Sequence, residues 1–158
     1  MNIALFPGSF DPITVAHTDI LRRALPLFDK VIVAIGLNNN KQSYFDFEVR
    51  RKMLEATFKD NLKIEVQTYN GLTVDFCHEV GAKFMIRGIR SVSDFEYEKA
   101  IAQMNNAMQP NIESIFILSR PGYSAISSTI VRDIIRNSGK VEQFVPKEII
   151  PFLIQNSQ

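Results

Sequence analysis

Apolar residues gather along the chain into five short runs separated by longer amphipathic segments. The runs are "NIALF" at 2–6, "KVIVAI" at 30–35, "KIEVQTY" at 63–69, "AKFMI" at 82–86 and "SIFIL" at 114–118. Most are continuous rather than alternating, the pattern of strands in a sheet covered on both faces.

The intervening segments carry helical spacing. His17, Leu21, Ala24 and Phe28 share one face of a first helix, with Thr14 placed to cap it. Pro26 lacks an amide donor and clashes with the carbonyl of Arg22, so a kink or early end is expected there. A second helix follows a cap at Asp46 and runs through Val49, Met53, Leu54 and Thr57; a third covers 72–79. The fourth opens on "SDFE", where Ser93 and Glu96 have capping-box spacing. The fifth, "SSTIVRDIIRNSG", has a serine cap, apolar Ile130, Val131, Ile134 and Ile135, and Gly139 as its stop. A last helix is expected over 146–154.

The resulting order, βαβαβαβαβαα, predicts an α/β fold. It is a Rossmann-like, doubly wound, five-stranded parallel sheet with helices on both faces, in a single domain over residues 1–158. In such sheets ligands bind beyond the carboxyl ends of the strands, where strand order reverses.

Composition narrows the function. Apolar residues make up 46% and charged residues 22%, with 18 Lys plus Arg against 17 Asp plus Glu. That balance argues against disorder and against a nucleic-acid-coating role, while leaving room for a small basic pocket. Cys77 is the only cysteine, which excludes an intrachain disulfide and a cysteine-based metal cluster and fits a small buried hydrophobe. No apolar run approaches the roughly 20 residues of a membrane span, and the N-terminus does not read as a signal peptide. A soluble cytoplasmic protein with no membrane partner is expected.

The candidate chemistry lies after the strands. In "GSFDPITVAH", Gly8 is expected to let the backbone turn tightly, Pro12 to stiffen the loop, and Thr14 to start a helix carrying His17 in its first turn. Free N–H groups and a helix dipole then make an anion site beside an imidazole. "RGIR" offers Arg87 and Arg90, "NNNKQ" offers Lys41, and "SAISSTIVR" begins another hydroxyl-rich helix. There is neither a GxGxxG nor a Walker sequence, and no Ser-His-acid or Cys-His pairing. Phosphate chemistry without a protein nucleophile fits best.

"PGSFDPITVAHTDI", "RGIRSVSDFEYE" and "ISSTIVR" together resemble the bacterial phosphopantetheine adenylyltransferases, of the nucleotidyltransferase superfamily with the (T/H)xGH motif. The resemblance spans essentially the whole chain, with Ala16 where that motif has Gly. It implies transfer of an adenylyl group from ATP to 4′-phosphopantetheine, magnesium as cofactor with no protein metal ligands assigned, a homohexamer, and feedback inhibition by coenzyme A. It implies acceptor contacts from Ser9, Lys41, Thr73 and Arg87. ATP contacts are implied for Ser9, Phe10, His17, Gly88, Ile89, Arg90, Glu98, and Tyr123, Ser124, Ala125, Ile126, Ser127, Ser128 and Thr129.

The expected chemistry is consistent with these groups. A phosphate monoester has a second pKa of about 6, so the acceptor is largely ionised at pH 7 without a general base. His17, Lys41 and Arg90 are the expected catalytic residues, the two cations neutralising the reactants and His17 donating to an α-phosphate oxygen. Glu98 is expected to turn toward the sheet, and His78 to lie at the surface. Two other readings stand beside this one: a superfamily enzyme acting on nicotinamide mononucleotide or an alcohol phosphate, and a non-catalytic nucleotide-binding module.

Overall fold

Each apolar run forms a strand: β1 (Ile3–Gly8), β2 (Lys30–Leu37), β3 (Ile64–Asn70), β4 (Phe84–Ile89) and β5 (Glu113–Leu118). The computed structural model describes residues 1–37 and 42–155. All strand pairs are parallel and the order across the sheet is β3-β2-β1-β4-β5. The chain builds outward from β1 to β3, then crosses back to place β4 on the other side of β1.

Alternate residues of the central strands feed two cores. Ala4, Phe6, Val31, Val33 and Ile35 pack with Leu21, Met53, Leu54, Val131 and Ile149. Those partners belong to α1 (Val15–Ala24), α2 (Phe47–Phe58), α5 (Ser128–Arg136) and the 3₁₀ turn at Lys147–Ile149 that leads into α6 (Ile150–Gln155). On the opposite face Leu5, Ile32, Ala34 and Met85 pack with Val74, Phe76 and Cys77 of α3 (Thr73–Glu79). Beside α3 on that face lies α4 (Val92–Met108), where Phe95 meets Phe116 edge-on and Asn105 donates to the Met85 sulfur. The doubly wound parallel sheet is therefore as expected.

Several local expectations shift. Pro26 ends the first helix early, as expected, with α1 stopping at Ala24 and Leu25–Leu27 forming a 3₁₀ turn, so Phe28 joins the core from beyond the helix rather than from its face. Arg87, Gly88 and Ile89 belong to β4 rather than to the loop beyond it, because their ladder with Phe116, Ile117 and Leu118 carries the strand on. The cap of α4 is Ser91, whose Oγ accepts from the Asp94 N–H at 3.2 Å, while Ser93 only shares a hydroxyl contact with Ser91. Asp46 stands at the α2 cap position without a side-chain cap bond.

Gly8 has no positive φ; the left-handed residue of its loop is Phe10, at φ 45°. Gly8 is needed for space instead, because a Cβ there would stand 3.0 Å from the Phe10 ring. Cys77 is fully buried, its thiol pushed up to about 12 by desolvation, and His78 is exposed as expected.

α5 ends in a Schellman motif. Ser138, at φ 59°, donates to the Ile135 carbonyl and Gly139 donates to that of Ile134. A Cβ on Gly139 would fall 2.5 Å from the Ile134 methyl. We predict that Gly139→Ala costs about 1–3 kcal/mol by urea denaturation. Gly122→Ala, with nothing within 4 Å of the added carbon, stays near wild type; equal stability of the two variants would contradict this packing account.

Candidate active site

Because β1 has β2 on one side and β4 on the other, the strand-order reversal opens a crevice at the carboxyl ends of β1 and β4. A cleft of about 370 Å³ occupies it on the α1 and α5 side. A second, also of about 370 Å³, lies on the α3 and α4 side. The two share Pro7, Gly8, Ser9, Arg87 and Glu98 as their common border.

His17 lies in the first turn of α1 and faces the first cleft. The Thr14 N–H donates to its Nδ1 at 3.0 Å, and the Thr14 hydroxyl lies equally close. With Nδ1 accepting, the neutral ring carries its proton on Nε2, which is left as the donor. Phe6 and Phe10 meet the imidazole edge-on at 6.4 and 5.2 Å between centroids. Desolvation, then the charges of Arg90 and Arg87, lower its pKa from 6.5 to about 4. At neutral pH His17 is therefore an uncharged hydrogen-bond donor.

Arg87 and Glu98 form a two-pronged pair, with Nε to Oε2 at 2.7 Å and Nη2 to Oε1 at 2.6 Å. Arg87 Nη1 also donates to the Pro7 carbonyl at 3.1 Å, so two of its five N–H donors remain for a ligand. Glu98 thus turns toward the sheet, as expected, but its partner is Arg87. Arg90 projects from the end of β4, with Nε 3.4 Å from an Asp94 oxygen. Its two terminal nitrogens have no partner among the described residues.

The start of α5 faces the same cleft, since Ile126, Ser127, Ser128 and Thr129 line it. Ser127 caps the helix by accepting from the Ile130 N–H, and the Ser128 hydroxyl donates to the Pro12 carbonyl at 2.7 Å. Ser9, Phe10, Gly88 and Ala16 complete the lining relevant here. Thr73 lines the second cleft and shares a hydroxyl contact with Tyr69 at 2.9 Å.

Other expected site residues lie elsewhere. Ile89 is buried in β4, Tyr123 lines a depression beside α1 and α2, and Ser124 and Ala125 do not line the cleft. Lys41 lies outside the described residues.

Two supporting residues escape a reading of the sequence. Asp11 accepts from the N–H groups of Tyr44 and Phe45 at 2.8 and 2.9 Å. Arg50 bonds to the Ser9 and Phe45 carbonyls and the Ser43 hydroxyl. A charged residue beside Val49 and Met53 on the inner stripe of α2 was the available signal for Arg50.

The cytidylyltransferase-like family model matches residues 5–134. A phosphopantetheine adenylyltransferase of Flavobacterium psychrophilum is 48% identical over 94% of this chain and 98% of its own. One from Christiangramia forsetii is 51% identical over 92% and 96% respectively. The chain belongs to the phosphopantetheine adenylyltransferase family. A solved bifunctional NMN adenylyltransferase/ADP ribose pyrophosphatase from Francisella tularensis, 19% identical, superposes with a TM-score of 0.75. That match covers 98% of this chain and 49% of the other, and shows the shared fold alone.

As a member of this family the chain is a nucleotidyltransferase, and the alanine in its "TVAH" sequence lies where the helix start meets the cleft. The neutral state of His17 also has a consequence for stability. Between about pH 4 and 6.5 the unfolded chain binds a proton at this imidazole that the folded chain does not. The contribution is complete above about 6.5 and is lost as the pH falls toward 4. We predict that wild type loses more stability than His17→Gln on going from pH 7 to about 4.5 in urea denaturation. Parallel losses would contradict an imidazole held neutral in the fold.

Proposed function

We propose that this enzyme transfers the adenylyl group of ATP to 4′-phosphopantetheine, giving dephospho-coenzyme A and pyrophosphate. The observation that carries the reading is the pair of clefts meeting end to end at Ser9 and Arg87, with His17 beside the junction. ATP occupies the cleft of α1 and α5, and the acceptor's arm lies in the cleft of α3 and α4. An acceptor phosphate oxygen attacks the α-phosphorus, a new P–O bond forms, and the bond to pyrophosphate breaks. No proton has to be removed, because the acceptor phosphate is already largely ionised near neutral pH.

The residues supply position and charge. His17 Nε2–H donates to an α-phosphate oxygen where charge builds up in the transition state, and is neutral beforehand because desolvation, then Arg90 and Arg87, lower its pKa. Arg90 places its terminal nitrogens on the triphosphate. The N-terminal amides of α5 favour the same anion through the helix dipole. Arg87, fixed by Glu98, gives its two remaining donors to the acceptor phosphate, with Ser9 and Thr73 as further acceptor contacts. Lys41 is the second cation proposed for the acceptor.

Magnesium is proposed as cofactor, with no protein cage for it among the described residues. No group of three His, Cys, Asp or Glu side chains suited to a metal occurs among the described residues. The cleft carboxylates Asp94 and Glu98 are paired with Arg90 and Arg87. The ion would reach the site on the nucleotide's own phosphate oxygens and water.

The wider setting is proposed on family grounds: a cytoplasmic homohexamer, inhibited by coenzyme A, which carries the same arm as the acceptor. Among the described residues no helix is long and apolar enough to cross a membrane. Assembly is supported by α4, which buries no residue and leaves Val92, Tyr97, Met104 and Met108 exposed, with Leu118 exposed on the edge strand beside it. Light scattering is expected to give the mass of six chains, and a monomer at working concentrations would reject the assembly.

Pyrophosphate release with ATP and a panel of acceptors tests the reaction. Phosphopantetheine supports turnover and dephosphorylated pantetheine does not; an equal rate with nicotinamide mononucleotide would reject the assignment. His17→Ala lowers kcat and kcat/KM together by about 10² to 10³, with ATP binding only modestly weaker. A folded variant with unchanged kcat would remove His17 from the mechanism.

A further inference from the structure

Arg50 is a buried cation on α2, 6% exposed, and it lines neither of the two clefts. Packing alone does not call for it, since Met53 and Leu54 beside it on α2 fill the same core with apolar atoms. No carboxylate lies within ion-pair distance among the described residues. Its donors go to three oxygens instead: Nε to the Phe45 carbonyl at 3.1 Å, Nη1 to the Ser9 carbonyl at 2.7 Å, and Nη2 to the Ser43 hydroxyl at 3.0 Å. Asp11 and Asp46 favour its charge from beyond ion-pair distance, but desolvation still costs it more, so its bonds are where its function should be sought.

The shortest of those bonds is at the edge of the site. The Ser9–Phe10 peptide is trans, so the Phe10 N–H points opposite to the Ser9 carbonyl. Arg50 holds that carbonyl from a separate pocket of about 510 Å³, which Ser9 shares with Arg50 and Arg132. The other side of Ser9 is the cleft, where Phe10 and His17 stand. The Phe10 N–H has no partner among the described residues, although the residue is only 2% exposed. Phe10 also sits at φ 45°, a conformation costing a side-chain-bearing residue about 1–2 kcal/mol. Neighbouring bonds hold the next residues, Arg132 at the Asp11 carbonyl and Ser128 at that of Pro12, but neither grips the Ser9–Phe10 peptide.

We propose that Arg50 is a positioning residue for adenylyl transfer: by holding the Ser9 carbonyl it aims the Phe10 N–H into the cleft as a donor to phosphate. The proposal rests on the nucleotide being ATP in this cleft, and deepens that reading by naming what sets the backbone donor. Arg50 lines neither cleft proposed for the substrates, so it acts through Ser9. A lysine at position 50 could reach one of the three oxygens but not all of them.

The test reads ATP binding by calorimetry and the Phe10 amide by ¹H–¹⁵N NMR, both without acceptor, so a wrong acceptor assignment cannot produce either result. In wild type, ATP shifts the Phe10 amide. Arg50→Lys weakens ATP binding about tenfold, the scale of one lost hydrogen bond to a charged group, and shrinks that shift. Ser43→Ala changes an exposed hydroxyl, folds regardless, and loosens Arg50 enough to weaken binding about threefold. Arg51→Ala, which removes only the pairs with Glu48 and Glu55 along α2, leaves ATP binding unchanged. A wild-type Phe10 amide unmoved by ATP, or unaltered affinity in Ser43→Ala and in folded Arg50→Lys, overturns the proposal. So does an equal loss in Arg51→Ala.

Discussion

The reversal of strand order at β1 is the constraint on which the rest of the molecule depends. A parallel strand buried between two neighbours can send its own chain to only one side, so β1 leads to β2 and β4 must come back to its other edge. The connections diverge at that point and the carboxyl ends of β1 and β4 stay uncovered. Among the described residues, the groups proposed for catalysis gather there: the Ser9–Phe10 turn, the first turn of α1, the end of β4 and the start of α5. Because β4 presents Arg87 toward α4 and Gly88 toward Ile20 of α1, one strand end serves both faces of the sheet. Two ligands entering from opposite faces would meet at Ser9 and Arg87, the geometry an in-line transfer between two phosphates requires.

Charge within this crevice is arranged more narrowly than the near-neutral chain suggests. Glu98 and Asp94 oppose Arg87 and Arg90, so the cleft attracts an anion without an unpaired excess of cations before one arrives. Desolvation, and after it the two guanidiniums, keeps His17 uncharged, and Thr14 decides which nitrogen holds its proton. A neutral donor beside two cations can strengthen its bond to phosphate as charge moves, without a proton transfer. Water exclusion by Phe6 and Phe10 raises the worth of each such bond.

Much of this was legible in the chain because the signals are local. Continuous apolar runs mark strands buried on both faces, and Thr14 and Ser127 stand immediately before the helices they start. The "GSFDPITVAH", "RGIR" and "ISSTIVR" stretches led to the crevice for the same reason: each holds a strand end or a helix start. What was not legible depends on pairing across the fold. Only the ladder with β5 shows that Arg87 to Ile89 continue β4, and that extension moves the α4 cap from Ser93 to Ser91. Arg50 reads as one more surface charge until the 42–46 segment closes over it, and the left-handed turn at Phe10 has no signature in a phenylalanine.

Adenylyl transfer as proposed depends on His17 being a neutral Nε2–H donor held by Thr14. The most direct measurement is ¹⁵N NMR of the His17 imidazole at pH 7, with and without ATP. One uncharged tautomer is expected at pH 7 in both states, with Nδ1 unprotonated and Nε2 protonated, and without ATP the titration midpoint lies near 4. An imidazolium at pH 7, or a proton found on Nδ1, would contradict it.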